Sequence, residues 1–293
     1  MSRFKKIYIE ISDVCGLACS FCPSAKNVRK SMPLALFEKA CVQSKRLCDR
    51  IALHVLGDPC RAKNLSDYLD IAQHYGLKVD LVTSGFYLLS HSFDRLLSPP
   101  IAQISISLNA GFDPANPPLE NYLETIFEFC RYKLAKDTAN FINLRIQDST
   151  MARLSGVKKS ILEYFGVKDS GNDSDGSGDG SGDGSKGRFR LGKKVFLNIT
   201  QTFQWPKISP QSAIKTEKYC HGLISQVAIL ADGTIVPCCM DAEGKLALGN
   251  LYTQALTEVL ESPRALRIQE GFMRGEACEE LCRHCLYPAK RGS

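Results

Sequence analysis

The 293-residue chain is 44% hydrophobic and 23% charged, proportions that exclude a disordered or fibrous protein and allow a sizeable core. No apolar run reaches the about 18 residues that span a membrane, and the opening "MSRFKKIYIEIS" has an apolar part too short for a signal peptide, so a cytoplasmic protein is expected. The net charge of +6 sits in small basic groups such as Arg3/Lys5/Lys6 and Arg188/Arg190/Lys193/Lys194. No RNA- or DNA-binding signature accompanies them, which leaves a nucleic-acid partner with weak support and a solvated surface as the simpler account.

In chain order, six short runs alternate apolar with polar residues: 6–12, 51–57, 77–84, 101–109, 141–147 and 194–200. Helical patterns fall between them, at about 33–48, 65–75, 87–97, 117–135 and 152–166. Strands alternating with helices predict an α/β fold with a parallel sheet. Residues i and i+2 of a strand share a face. One face carries Ile7/Ile9, Ile104/Ile106, Ile142/Leu144 and Val195/Leu197; the other carries Tyr8/Glu10, Ser105/Ser107, Asn143/Arg145 and Asn198/Thr200. Burying that many polar groups without partners costs several kcal/mol. A partial (β/α)6 TIM-like barrel, open around a polar ligand, is the expected architecture.

Residues 168–187 are rich in Asp, Gly and Ser. They fit no calcium-loop register, and a flexible linker dispensable for chemistry is expected there. After Thr200 the pattern changes. "QVAILA", an Asp232-Gly233 turn and "TIVP" predict a hairpin, and 256–272 reads as helical pieces. The expected domains are a barrel over 1–205 and a small cysteine-bearing domain over 206–293.

Thirteen cysteines, an odd number in a chain without a secretion signal, favour metal or redox work over a disulfide scaffold. Cys15, Cys19 and Cys22 follow the first strand with C-x3-C-x2-C spacing, at the end of a barrel where catalytic groups gather. Three thiolates can hold three corners of a cubane iron–sulfur cluster and leave one iron open for a small molecule. A zinc site borrowing a distant ligand is the alternative. Farther on, Cys220 and Cys238 flank the hairpin, and Cys282 and Cys285 form a C-x2-C pair, a four-thiolate set that suits an iron–sulfur cluster or zinc. Cys239 and Cys278 are spares that could replace a neighbour.

With Cys15, Cys19, Phe21 and Cys22 in a C-x3-C-x-Φ-C pattern, the chain resembles the radical S-adenosylmethionine (SAM) superfamily. The resemblance continues at "LGDP" (56–59), similar to the family's Gly-Glu-Pro turn with Asp58 for Glu, and at "TSG" (83–85). It implies that Phe21, Gly57, Asp58, Ser84, Ser107 and Arg145 belong to the cofactor site and contact SAM. It implies further that the cluster's electron cleaves SAM to a 5′-deoxyadenosyl radical, which takes a hydrogen atom from substrate. The C-terminal cysteines resemble the SPASM/twitch appendage, with one auxiliary [4Fe–4S] cluster on Cys220, Cys238, Cys282 and Cys285. Relatives of that kind often carry out two-electron oxidations. Cys60, Glu10 and Asp241 are candidates for hydrogen-atom or proton transfer, each with an ordinary structural role as the alternative. A reductase such as flavodoxin or ferredoxin is the implied electron donor. The substrate could be a small molecule, a peptide or a nucleoside. Because the barrel pattern starts near residue 6, no leader-peptide-binding domain is expected before it. A peptide- or tRNA-modifying enzyme and a non-enzymatic iron–sulfur or zinc scaffold are the competing readings.

Overall fold

The computed structural model describes residues 3–23, 30–169, 185–210 and 214–287. The chain divides into two compact units: residues 1–16, 21–80 and 203–293 form the first, and 17–20 with 81–202 the second. Among the described residues no helix is long and apolar enough to cross a membrane.

In the first unit, β1 (Lys6–Ile9), β2 (Arg50–Ala52) and β3 (Lys78–Thr83, of which 78–80 belong here) run parallel. Helices α1 (Leu34–Lys45) and α2 (Leu65–His74) form the crossovers. Both present apolar residues at helical spacing, and the Phe37 and Tyr68 rings meet edge to face with centroids 5.0 Å apart. Ile7, Ile9, Ile51 and Val79 are fully buried, each stabilising the unit by about 1.5–3 kcal/mol. The polar face is also compensated. Asp80 pairs with Lys6 and, at 2.7 Å, with Arg50.

The predicted C-terminal hairpin is present as β8 (Gln226–Ile229) and β9 (Thr234–Val236), with Gly233 at φ +81° in the turn. Its first strand lies parallel beside β1, Lys6 opposite Gln226 and Ile9 opposite Ile229. Strand β10 (Gly249–Asn250) and helices α7 (Leu256–Leu260), α8 (Pro263–Arg274) and α9 (Glu280–Arg283) complete the unit.

The second unit holds the rest of β3, then α3 (Phe93–Leu96), β4 (Ile101–Ser107), α4 (Leu108–Gly111), α5 (Tyr122–Lys136), β5 (Phe141–Gln147) and α6 (Met151–Tyr164). Strands β4, β5 and β7 (Val195–Thr200) are parallel neighbours. Burial along β5 alternates residue by residue, with Ile142, Leu144 and Ile146 inside. Asn198 Nδ2 donates to Asn143 Oδ1 at 3.0 Å, so this pair of polar side chains is satisfied within the sheet.

The sequence expectations need adjustment at several places; the helix expected over 87–97 is only a 3-10 turn, Leu88–Ser90, and the short α3, and β1 stops at Ile9. The run 51–57 is a strand only over Arg50–Ala52, because the Leu56 and Asp58 N–H groups are drawn to Glu10 and to the Val14 carbonyl instead. Helix α5 begins at Tyr122 rather than 117; Pro117 and Pro118 supply no N–H, and Asn121 turns at φ 56°. The Asp/Gly/Ser tract expected over 168–187 lies outside the described residues at 170–184. Its end is not linker. Ser185–Gly192 is strand β6, antiparallel to β7, with Ser185 opposite Thr200 and Gly187 opposite Ile199. Strand pairing there is reinforced by the Arg188 guanidinium, 3.8 Å from the Phe196 ring centroid.

Candidate functional site

The three N-terminal cysteines stand on an irregular segment after β1. Cys15 and Cys19 are half-buried and Cys22 is exposed. The stretch before Cys15 is fixed by backbone contact with the loop after β2. A Cβ on Gly57 would lie 2.2 Å from the Ser12 carbonyl oxygen, and its φ is +71°, so only glycine lets residues 56–58 approach this closely. The Asp58 N–H donates to the Val14 carbonyl at 3.3 Å. Asp58 itself is buried, and Oδ1 accepts from the Cys60 N–H at 3.0 Å, capping the 3-10 turn Pro59–Arg61. Cys60 is fully buried.

Glu10 lies on the same side of the unit, fully buried. Its Oε1 accepts from the Leu56 N–H at 2.7 Å and its Oε2 from the Ala231 N–H at 3.1 Å. One carboxylate thus ties the Gly-Asp-Pro loop to the turn of the C-terminal hairpin.

In the second unit, the segment carrying Cys19 is gripped by two residues that the sequence reading missed. Asn116 Oδ1 accepts from the Ala18 N–H at 2.7 Å, and Nδ2 donates to Cys19 Sγ at 3.1 Å. Asp113 Oδ2 accepts from both the N–H and the hydroxyl of Ser20, at 2.9 and 2.7 Å. Burial pushes the Asp113 carboxyl up, but the Ser20 and Ala115 hydrogen bonds and Arg153 outweigh it and hold the group below its ordinary value. The signal was "DPANPP" (113–118), a turn sequence whose Asp and Asn side chains cap backbone N–H groups.

Ser84 is buried after β3, and its carbonyl accepts from the Tyr122 hydroxyl at 2.6 Å. Ser107 ends β4 directly opposite Arg145 of β5. Arg145 is half-buried and has no hydrogen-bond or ion-pair partner among the described residues.

The C-terminal thiols are gathered in the first unit. Cys220, Cys238, Cys282 and Cys285 line a single cavity together with Lys218 and Asp241. Burial first, and then the neighbouring thiols, push Cys220, Cys238 and Cys282 above the ordinary thiol value, against a lowering contribution from Lys218 at Cys220 and Cys282. A cationic guest among these thiols would reverse the upward bias on Cys220, Cys238 and Cys282. The two spare cysteines are not among the residues lining that cavity. Cys239 packs, with Tyr8, against the apolar cluster of Ala228 and Val236, and is pushed up to about 11, chiefly by burial. Cys278 Sγ lies 3.7 Å from the Arg267 carbonyl and fills the space a Cβ on Gly271 would occupy. Asp241 is buried, with Oδ1 and Oδ2 accepting from the Lys245 and Leu246 N–H groups at 2.9 and 2.7 Å; burial raises its carboxyl. A second, smaller cleft in this unit is lined by Pro23, Trp205, Lys207, Met240 and Asp241.

Residues 220–286 match the SPASM family, an iron–sulfur cluster-binding domain. The chain is 26% identical over 115 residues to the S-adenosyl-L-methionine-dependent 2-deoxy-scyllo-inosamine dehydrogenase of Niallia circulans, a match that spans 37% of this chain and less than half, 46%, of that relative. Among solved structures it is similar to BtrN in complex with AdoMet and 2-DOIA, with a TM-score of 0.63 at 16% identity over 98% of this chain and 94% of that one. It is also similar to AdoMet-bound anSMEcpe (TM-score 0.61, 12% identity, 92% and 83% covered) and to SuiB of Streptococcus suis bound to S-adenosylmethionine (0.60, 15%, 91% and 68%). At these identities the structural likeness is one of fold. The SPASM match and these SAM-bound relatives agree with iron–sulfur clusters and SAM as the cofactors. With its C-terminal cysteines gathered inside the SPASM match, the chain shares its fold with these AdoMet-bound structures.

Proposed function

We propose that the protein is a radical SAM oxidoreductase that oxidises a small polar substrate by two electrons, within a partial (β/α)6 barrel (1–205) followed by an auxiliary-cluster domain (206–293). The observation that carries this reading is the convergence of Cys220, Cys238, Cys282 and Cys285 on one cavity, in a chain whose first strand leads into the Cys15/Cys19/Cys22 triad. The relative named as a dehydrogenase supports the direction of the chemistry.

When bound, a [4Fe–4S] cluster at the triad would supply the electron that cleaves SAM, and one on the C-terminal thiols would accept the second electron from substrate. The chain's own residues do the rest. Gly57 lets the loop 56–58 lie against residues 12–14, so that backbone groups can face the SAM amino group next to Cys15. Arg145 offers an unpaired, half-buried guanidinium suited to a carboxylate, and Ser107 opposite it offers a hydroxyl for the ribose. Lys218, whose Nζ bonds the Cys285 carbonyl at 2.5 Å, offsets negative charge at the auxiliary thiols. Trp205, Lys207 and Met240 line a cleft beside Pro23, next to Cys22, and would receive part of the substrate. An intracellular reductase of the flavodoxin or ferredoxin kind would donate the electron.

Anaerobic reconstitution followed by counting of iron, sulfide and zinc tests this, beside a variant with Cys15, Cys19 and Cys22 changed to Ala. Roughly eight irons per chain are expected, falling to about four in the variant. With dithionite and SAM, 5′-deoxyadenosine is expected from the parent alone. About four irons and one zinc would remove the auxiliary electron acceptor and the oxidation with it. No deoxyadenosine and no SAM binding at full iron loading would leave a scaffold.

A further inference from the structure

The amide of Asn116 makes three hydrogen bonds that no other side chain of its size could make together. Oδ1 accepts from the Ala18 N–H at 2.7 Å, and Nδ2 donates to the Ala110 carbonyl at 2.8 Å and to Cys19 Sγ at 3.1 Å. One acceptor and two donors are what a carboxamide presents. The network also fixes its orientation, because a flipped amide would set its oxygen against the Ala110 carbonyl and its NH2 against the Ala18 N–H. The residue is 8% exposed, so these bonds form in a medium where each is stronger than in water. Its support is rigid as well. The Asn116 N–H donates to the Asp113 carbonyl at 3.0 Å, and Asp113 holds Ser20, on the other side of Cys19, through its N–H and hydroxyl. Behind this loop, Gly111 lies so close to the Tyr122 ring that a Cβ would fall 2.0 Å from Cε1.

The two side chains therefore divide the work. Asp113 places its charge against backbone and hydroxyl at Ser20. Of the two, it is Asn116 that turns a donor toward the sulfur of Cys19. An N–H aimed at a ligand sulfur stabilises the more negative, reduced form of an iron–sulfur cluster and raises its potential.

We infer that Asn116 is a positioning residue for the SAM-binding cluster, orienting the Cys19 thiolate and raising the cluster's reduction potential through its N–H···S bond. This rests on the reading that Cys15, Cys19 and Cys22 hold that cluster. Asn116→Asp tests it. The variant keeps the acceptor for Ala18 and the volume, but exchanges the donor at sulfur for a carboxylate oxygen. Asp113→Asn is the comparison, since it weakens the hold on Ser20 and leaves the donor at sulfur in place. Reconstituted proteins are titrated against potential, with the SAM-responsive electron paramagnetic resonance signal as the readout at matched iron content. For Asn116→Asp the ratio of reduced to oxidised cluster at a fixed potential is expected to fall at least tenfold, which is about 59 mV for a one-electron couple. Asp113→Asn is expected to lose iron faster and to keep the parent's potential. A smaller shift in Asn116→Asp, or an equal shift in both variants, overturns the inference.

If Asn116→Asp assembles no cluster, the parent labelled with 15N at its asparagine amides decides. Pulsed resonance on the SAM-responsive signal is expected to reveal a coupled amide nitrogen, and its absence refutes the N–H···S bond. A parent with no SAM-responsive signal at full iron loading would overturn the underlying reading and this inference with it. A parent with the signal and an unshifted variant would overturn this inference alone.

Discussion

Replacing Glu10 by Ala should loosen two loops 175 residues apart in one step. The carboxylate is fully buried and accepts one bond from the Leu56 N–H and one from the Ala231 N–H. Removing it leaves both buried donors without that acceptor, at about 1–3 kcal/mol each. The local cost is thus about 2–6 kcal/mol, and each amide should exchange about 5–150 times faster. Glu10→Gln keeps one carbonyl oxygen and turns an NH2 toward the other donor, so about half that loss is expected. Hydrogen exchange followed by mass spectrometry reads both segments together, around 55–58 and 229–233. If Glu10→Ala leaves both segments exchanging within about twofold of the parent, the tether does not operate and the magnitude taken from hydrogen-bond loss is refuted. Glu10→Gln also separates a tether from a base. A catalytic base would lose turnover while both loops kept their protection.

Gly57→Ala would set a Cβ 2.2 Å from the Ser12 carbonyl, and iron analysis should reveal loss of about four irons with the auxiliary cluster intact. Single Ala substitutions at Cys220, Cys238, Cys282 or Cys285 should each remove the auxiliary iron, whereas Cys239→Ala and Cys278→Ala should retain it; retention in any of the first four would contradict the assignment from the cavity. Hydrogen bonds from Arg264 at 3.1 and 3.0 Å, with Arg267 adding to them, hold the Glu279 carboxyl below its ordinary value. A lowered folded value means stability that is present above the unfolded value of about 4.3 and lost as pH falls through the folded one. Thermal midpoints of the parent and Glu279→Gln should therefore differ at neutral pH and converge in acid, and an equal difference at both would rule the ion pair out as its source.

The parallel strands were legible because Ile142, Leu144 and Ile146 repeat at the period of the pleat, and the same alternation governs burial in β5. The hairpin was legible from Asp232-Gly233. Other features were not, for identifiable reasons. Strand β6 hides its alternation behind a low-complexity stretch, and it reads as a basic group because Arg188 and Arg190 stack on a ring contributed by the next strand. The parallel pairing of β8 with β1 joins residues some 220 positions apart, and nothing in local periodicity specifies a partner at that distance. Spacing assigned Cys220, Cys238, Cys282 and Cys285 but left Cys239 and Cys278 open as replacements for a neighbour. What sets the two apart in the fold is tertiary: Cys239 packs beside Tyr8 of β1, and Cys278 lies against the bare backbone of Gly271.

Four acidic residues of these loops share one employment. Glu10, Asp58, Asp113 and Asp241 each accept at least one backbone N–H, and Glu10, Asp113 and Asp241 use both oxygens to do so. A carboxylate that accepts backbone N–H bonds gives up basicity to them. At Asp241 burial works the other way and prevails, raising the group. It also lines both the thiol cavity and the cleft beside Trp205. On the proposed function, Asp241 is of the four the one whose position and raised carboxyl would suit a proton taken from substrate, while Glu10, Asp58 and Asp113 would suit the shaping of loops. Asp241→Asn distinguishes the roles. The amide keeps one acceptor for the loop 245–246, so the auxiliary iron should stay while substrate oxidation falls and SAM cleavage persists. Loss of iron and oxidation in parallel would reduce Asp241 to a loop-shaping residue like the others.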